Sequence, residues 1–388
     1  MKGYDTLIVG GGIIGASLAF ELARLRHSVL LLDRQEPGHE ASWAAAGTIS
    51  PAPDEEALEI APLACESYRL YPAFVTAIES ATGQSAGFHP SGAMEVFFEA
   101  YAETERNQRL QQVRQVGLTA EPISLSEAKR REPALGPSIR AVLWIADEAH
   151  LDPRVLTRVT LSAAARAEVE IRGNTEVISV ITRNDRCDGV LAARTETHRA
   201  DEQRVRTAEK IEARNVVIAA GWRSKEIGGA ECWAPSAPVR GQMVAFGRVP
   251  GAPRTILRGD RGYMAPREDG RIVAGSTLEP GALDKHATAA GLRKILTAAT
   301  EMAPALADAS VLETWAGLRP DSPDHLPIVG ATDVEGLFIA TGHYRNGMLL
   351  APATAKYLAE WIVDGRTSKY LQPFSPLRFA AASRSVNP

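Results

Sequence analysis

The stretch LIVGGGIIGASLAFELA, Leu7 to Ala23, decides the fold. Thr6 to Val9 reads as a buried parallel strand, because four consecutive positions are β-formers or apolar with no polar alternation. Ile13 to Leu25 reads as a helix with Ile14, Leu18, Leu22 and Leu25 on one face. Ser28 to Leu32 returns to strand, so the chain opens with a βαβ unit. Between the first strand and the helix, Gly10, Gly12 and Gly15 stand in the spacing G-x-G-x-x-G. That spacing is a weak signal alone and a strong one in this strand-to-helix context. The first glycine permits the tight turn, the second lets a pyrophosphate approach the backbone, and the third lets helix and strand pack closely. The helix N-terminus then offers free N–H groups and a positive dipole end to phosphate. Asp33 closes the second strand eighteen positions after Gly15, where a carboxylate can accept ribose hydroxyls. NAD and FAD share this fingerprint.

Two further small-residue stretches suit the same ligand. EASWAAAGTIS, Glu40 to Ser50, includes Ser42 and Gly47, and such a run lets backbone come close to a flat ring. VVIAAGWRS, Val216 to Ser224, ends a second parallel-type strand, Asn215 to Ala220, at Gly221. Between these anchors the pattern alternates. Residues 54 to 80 look helical, Phe88 to Phe98 looks like strand, and Ala102 to Val116 is a charged amphipathic helix. Ser124 caps a helix to Glu132, and Asp152-Pro153 opens another through Ala165. Glu176 to Thr182 and Gly189 to Thr195 read as strands, followed by a polar run, Glu196 to Lys210, expected to be a solvated hairpin or loop. Short strands dominate Pro238 to Leu278, and a helix follows over Thr288 to Met302. Met348 to Trp361 reads as a helix starting at Asn346-Gly347, and the last ten residues read as a frayed tail.

Composition narrows the class. The chain has 388 residues, more than one simple core, so two domains are expected. A formal net charge of -4 with no isolated basic block gives no case for nucleic acid. Cys65, Cys187 and Cys232 fit neither a metal spacing nor a disulfide framework, and point to a reducing compartment. No apolar run reaches the roughly 18 residues that span a bilayer. A cytoplasmic location is the expectation.

LIVGGGIIGASLAFELA, SWAAAG, VVIAAGWRS, PVRGQM, GYMAPREDGRIVAGSTLEPG, WAGLRPDSPDHLPIVG and IATGHYRNGMLLAPATA together carry a resemblance to the D-amino-acid oxidase superfamily of FAD amine oxidases. Within it the chain is most similar to the glycine oxidases, which are associated with thiamine biosynthesis. The resemblance runs from about residue 4 to 370. It implies non-covalent FAD, with Ile13, Ile14, Asp33, Arg34, Ser42, Ala46, Gly47, Thr48 and Val177 at FAD-contacting positions. The segment His343, Tyr344, Arg345, Asn346, Gly347, Met348 and Leu349, after Gly342, would lie under the flavin ring. Tyr263, Arg319 and Arg345 would hold a substrate carboxylate, with Thr48, Arg261 and Leu278 lining the pocket. The residues allow that chemistry on their own terms. A guanidinium binds a carboxylate bidentately and stays charged, and a phenol adds a hydrogen bond. The alternatives are an ion pair of Arg319 with Asp321 or Asp324, a core role for Tyr263, and a structural hydrogen bond for the His343 ring.

The expected fold is α/β: a Rossmann-like FAD-binding domain over 1–85, 150–228 and 318–375, an interleaved α+β substrate domain on a mostly antiparallel sheet over 86–149 and 229–317, and a tail over 376–388. The expected function is oxidative deamination of a small amino acid (glycine, sarcosine or a small D-amino acid) by hydride transfer to flavin N5. It gives a 2-oxo acid, ammonia or amine, and hydrogen peroxide, with molecular oxygen as acceptor. No catalytic acid or base and no metal is expected. A homo-oligomer is expected from the resemblance. The competing expectations are a dehydrogenase of the same fold that reduces a quinone or carrier, and a flavin-binding module without turnover.

Overall fold

In a computed structural model, which describes residues 3–52, 55–197 and 204–384, the opening βαβ unit is present as read. The strand Tyr4–Val9 pairs in parallel with Val29–Leu32 on one side and with the end of a long strand, Arg204–Ile218, on the other. Between the first two strands runs the helix Ile13–Arg24, buried along most of its length. These strands belong to an eight-stranded sheet, completed on one flank by Glu170–Arg172 and on the other by Leu337–Thr341 and the antiparallel edge Ile328–Ala331. The expected polar hairpin or loop, Glu196 to Lys210, falls partly on residues 198–203, which lie outside the described residues; its described ends are strand. Arg186–Thr197 and Arg204–Ile218 form a long antiparallel pair whose outer end projects past the parallel core, and Thr175–Arg183 pairs alongside.

A second sheet has nine strands. Ala237–Phe246, Ile272–Gly275, Gly262–Pro266 and Ile256–Gly259 form its antiparallel centre, and Ala93–Phe97, Ala141–Ile145 and Ala120–Ile123 continue it. Every pairing is antiparallel except Ile256–Gly259 with Ala93–Phe97. Val311–Asp321 runs beside Ala237–Phe246 and carries Arg319 to the sheet's end. The helix Ala289–Met302 covers one face, with Ile295, Ala298, Ala299 and Met302 buried against Val244, Phe246 and Met264. The α/β class with a mostly antiparallel second sheet is thus the observed one.

Local chemistry explains the helix limits. Ser124 accepts the Glu127 N–H, Asp152 accepts the N–H groups of Arg154 and Val155, and Thr288 accepts that of Gly291, each a side-chain N-cap. The helical region expected from 54 begins as a 3-10 turn, Glu55–Ile60, and becomes α-helix over Ala61–Thr82. The expected frayed tail is corrected by a helix, Leu377–Arg384, whose Arg378 reaches Asp324 at 2.7 Å; that ion pair and the Phe379 packing are long-range contacts that no local pattern announces. Residues 385–388 lie outside the described residues.

The helix Gly347–Asp364 contains Pro352, which removes one backbone donor. The Met348 carbonyl would accept that missing N–H. Instead the hydroxyl of Tyr71, a fully buried residue on the neighbouring helix, donates to it at 2.6 Å. One turn on, the Ser67 hydroxyl donates to the Leu349 carbonyl at 2.6 Å and accepts the Ala353 N–H at 3.2 Å. Two side chains from Ala61–Thr82 therefore repair the proline's damage. Tyr71→Phe keeps the ring packing and strands the Met348 carbonyl, so it should cost about 1–3 kcal/mol in urea unfolding. A loss of stability within error of zero would show that the hydroxyl is not needed.

Candidate functional site

At the loop after the first strand, Gly10 has φ +108°, and a β-carbon there would overlap the Ala219 carbonyl. A β-carbon on Gly15 would overlap the Gly10 carbonyl. Backbone, not side chain, therefore fills this corner. The helix begins at Ile13 with Gly12 as an N-cap that offers no side-chain bond, and the Ile13 N–H donates to Ser42 Oγ at 2.9 Å. Asp33 accepts the Gly11 N–H at 2.8 Å and the Gln35 N–H at 3.0 Å. Burial pushes its carboxyl above the usual range, against the lowering effect of those N–H groups.

This corner lies on a single cavity of about 1020 Å³. From Val177 at the far end of the eight-stranded sheet it runs past Gly10, Gly12 and Ser42 to the second sheet. Every residue read above as contacting cofactor or substrate lines it, with three exceptions. Gly15 and Gly342 lie behind the wall, Gly15 against the Gly10 carbonyl and Gly342 against Ile328. Arg261, expected at the pocket, is corrected: Glu301 at 2.5 Å and Glu99 at 3.0 Å hold its guanidinium, which lies over the Phe98 ring. Leu278 lines the cavity and is 55% exposed, so it sits at an opening.

Two tertiary ties assemble the end of the cavity at the second sheet. The Tyr344 N–H donates to the Pro320 carbonyl at 2.8 Å, joining the Arg345 loop to the strand that carries Arg319. Arg154 stacks on Trp43 at 3.6 Å and holds Glu313, while Trp315 Nε1 donates to the Ala44 carbonyl at 3.0 Å. These contacts fasten the small-residue stretch after Glu40 to the second sheet.

Arg319 itself lies flat across its neighbouring strand. A β-carbon on Gly241 would overlap the guanidinium, so a side chain there would force the arginine to move. The guanidinium donates to the Thr277 carbonyl at 3.2 Å and to Ser276 Oγ at 2.7 Å. Neither expected carboxylate partner is engaged with it. Asp321 bonds His325 at 2.8 Å and Asp324 bonds Arg378. Among the described residues no carboxylate neutralises Arg319. Tyr263 stands on the same face of the sheet, its hydroxyl 3.8 Å from the Met243 sulfur.

The His343 ring is not aimed at chemistry. It is 2% exposed, its Nε2 is 3.2 Å from Thr354 Oγ1, and burial pushes its pKa down to about 3. The next helix, Gly347–Asp364, starts at Asn346 with no side-chain cap, and its first residues line the cavity. Its positive dipole end is therefore available to negative charge there.

Sequence reading missed an ionic wall in the same cavity: Glu95, Arg258, Glu148 and Arg109. The available signal was a charge at an inward position of an otherwise apolar strand, as Glu95 is in AMEVF.

The cradle fits a dinucleotide. Its walls are backbone at Gly10 and Gly12, an uncapped helix start faces in, and a carboxylate sits at the end of the second strand. A family model described as DAO, FAD dependent oxidoreductase, matches residues 5–361. The chain belongs to this family. Its cofactor is accordingly FAD. A glycine oxidase of Pseudomonas aeruginosa is 33% identical over 365 residues, 93% of this chain and 94% of that protein. The bifunctional protein ThiO/ThiG of Trichormus variabilis is 32% identical over 97% of this chain, which spans only 55% of that protein's length. The crystal structure of glycine oxidase from Geobacillus kaustophilus superposes with a TM-score of 0.86 at 28% identity, covering 97% of this chain and 98% of that one. No helix among the described residues is long and apolar enough to cross a membrane.

Gly241→Ala should displace the Arg319 guanidinium and raise KM for the substrate while leaving FAD absorbance intact; an unchanged KM would refute the packing argument. His343 gives a second prediction. The unfolded histidine titrates near 6.5, the native one at about 3. Between these values the unfolded state binds the extra proton, so stability falls as pH drops from about 6.5. Between pH 6.5 and 5, wild type should lose about 2 kcal/mol more than His343→Gln in denaturant unfolding. Equal losses would show that His343 is not buried neutral.

Proposed function

We propose that this protein oxidatively deaminates a small amino acid, with Arg319, Arg345 and Tyr263 as the group that holds the substrate carboxylate. The observation that carries the reading is Arg319: a guanidinium lining the cavity, fixed by two neutral acceptors, with no carboxylate partner among the described residues. A half-buried positive charge of this kind is complementary to one anionic group. The Tyr344-to-Pro320 hydrogen bond brings the Arg345 loop to the same place, and Tyr263 offers its hydroxyl from the sheet floor. The similarity to glycine oxidases over nearly the whole chain supports the same substrate class.

Bound FAD supplies the two-electron acceptor for the α-hydrogen, taken as hydride. The chain's own residues orient and stabilise. The clamp fixes the carboxylate, which leaves the neutral amine and the α-carbon as the groups to be presented for reaction. The N-terminus of Gly347–Asp364 offers N–H groups to negative charge that develops within the cavity, and is oriented before reaction. The substrate leaves as an imine, which water hydrolyses to a 2-oxo acid and ammonia, or an amine from an N-substituted substrate. The electrons pass to molecular oxygen, giving hydrogen peroxide. No side chain is required as acid or base for hydride loss. In this reading the segments 1–85, 150–228 and 318–375 bind FAD, which is supported by the eight-stranded sheet drawing its strands from those stretches.

Arg319→Ala should retain FAD and lower kcat/KM by roughly ten- to a hundredfold, the loss of a charge-assisted hydrogen bond of about 1.5–3 kcal/mol. The assay is anaerobic reduction of the flavin by glycine, sarcosine and D-alanine, then admission of air with peroxide measured. Wild-type kinetics in the variant would remove the clamp. Flavin reduction without peroxide in air would reassign the protein as a dehydrogenase.

A further inference from the structure

Tyr263, Arg258 and Glu95 occupy directly opposed positions on three neighbouring strands, and the row continues to Leu143. Opposed residues share a sheet face. The surface that holds Tyr263 under the cavity therefore carries Arg258 and Glu95 beside it, and all three line the cavity. With strands about 4.8 Å apart, Glu95 stands about 10 Å from Tyr263 along the row.

The charges at this end are unequal. Arg258 is held by Glu95 at 2.8 and 3.0 Å and by Glu148 at 2.6 Å, and Arg109 reaches Glu95 at 3.1 Å. Those arginines are already neutralised, unlike Arg319. Around them Glu99, Glu105 and Asp260 also line the cavity. Arg261, the cation next to Glu99 and Asp260, is shared with Glu301. Carboxylates outnumber cations at this end.

An independent feature asks for a donor. Glu148 is fully buried and lines the cavity. Its Oε1 accepts from Ser50 at 2.8 Å and pairs with Arg258, while Oε2 has no hydrogen-bond partner. A buried carboxylate oxygen without a donor is unfavourable, and a ligand N–H supplies one. Burial pushes this carboxyl above the usual range even though Arg258 opposes it.

We propose that this wall is a distal subsite for the terminal ammonium of a basic amino acid, whose carboxylate the Arg319 end holds. The proposal rests on the amino-acid oxidase reading above. The cavity is then polarised lengthwise, positive at Arg319 and negative at Glu95, Glu148 and their neighbours. A zwitterion with a cationic side chain aligns with that field. An apolar side chain of the same length desolvates the ionic wall and returns nothing.

The test compares twins of equal length on the FAD-loaded enzyme: ornithine against norleucine and lysine against 2-aminoheptanoate, each as both enantiomers, with glycine alongside. Anaerobic flavin reduction is the readout. For the accepted enantiomer the basic member should exceed its apolar twin by roughly tenfold or more in kcat/KM, and the margin should narrow with added salt. Glu95→Gln should narrow it as well. If that variant fails to fold, the wild-type ratio and its salt dependence decide. Glycine oxidation with the apolar twins equal or better overturns the subsite and leaves the proposed function standing. No flavin reduction by any compound overturns both.

Discussion

The carbonyl of Gly10 occupies the place that a β-carbon on residue 15 would take. This single approach sets the helix Ile13–Arg24 against the central strand, and the other parts of the site are arranged from it. With the helix pressed down, its uncapped start opens into the cavity, and Ser42 can reach the Ile13 N–H. The stretch after Glu40 is thereby held over the turn. From there Ala44 and Trp43 are tied to the second sheet through Trp315 and Arg154. Gly10 and Gly15 thus fix the turn through backbone contacts that tolerate no added atom, and Ser42, Trp315 and Arg154 carry its geometry to the other sheet.

The second helix start in the cavity is built differently. The helix after Asn346 carries a proline in its first turns and survives because Tyr71 and Ser67 supply the missing partners. Its N-terminus is held in place by a neighbouring helix, and the loop before it by the Pro320 carbonyl. Two helix N-termini, one at each half of the cavity, suit a ligand with negative charge at its phosphates and developing charge at its ring.

Charge is partitioned across the same space. Arg319 has no carboxylate partner among the described residues because its supports are a carbonyl and a hydroxyl, and because Asp321 and Asp324 are engaged with His325 and Arg378. Arg258 is the opposite case, bracketed by two carboxylates. Residue type is identical and the electrostatic meaning is not. What separates them is which side chains the sheet places next to each.

Much of this was legible from the sequence alone. The glycine spacing between strand and helix, the acid at the end of the second strand, and the Ser124 N-cap follow from local backbone chemistry, and these features appear where the pattern puts them. Arg319 and Arg345 could be named because the motifs around them resemble those of the oxidase family. Their surroundings could not. Whether Arg319 is paired, why Gly241 must lack a side chain, and why Arg261 is drawn away to Glu301 depend on neighbours across strands far apart in the chain. The ionic wall of Glu95, Arg258 and Glu148 and the terminal helix anchored by Arg378 depend on the same kind of contact. Sequence determined which backbone could bind a dinucleotide, since that is a matter of turn and helix-start geometry within a few residues. Tertiary structure decided which charges remain uncompensated, because neutralisation is settled by distances that only the folded sheets bring together.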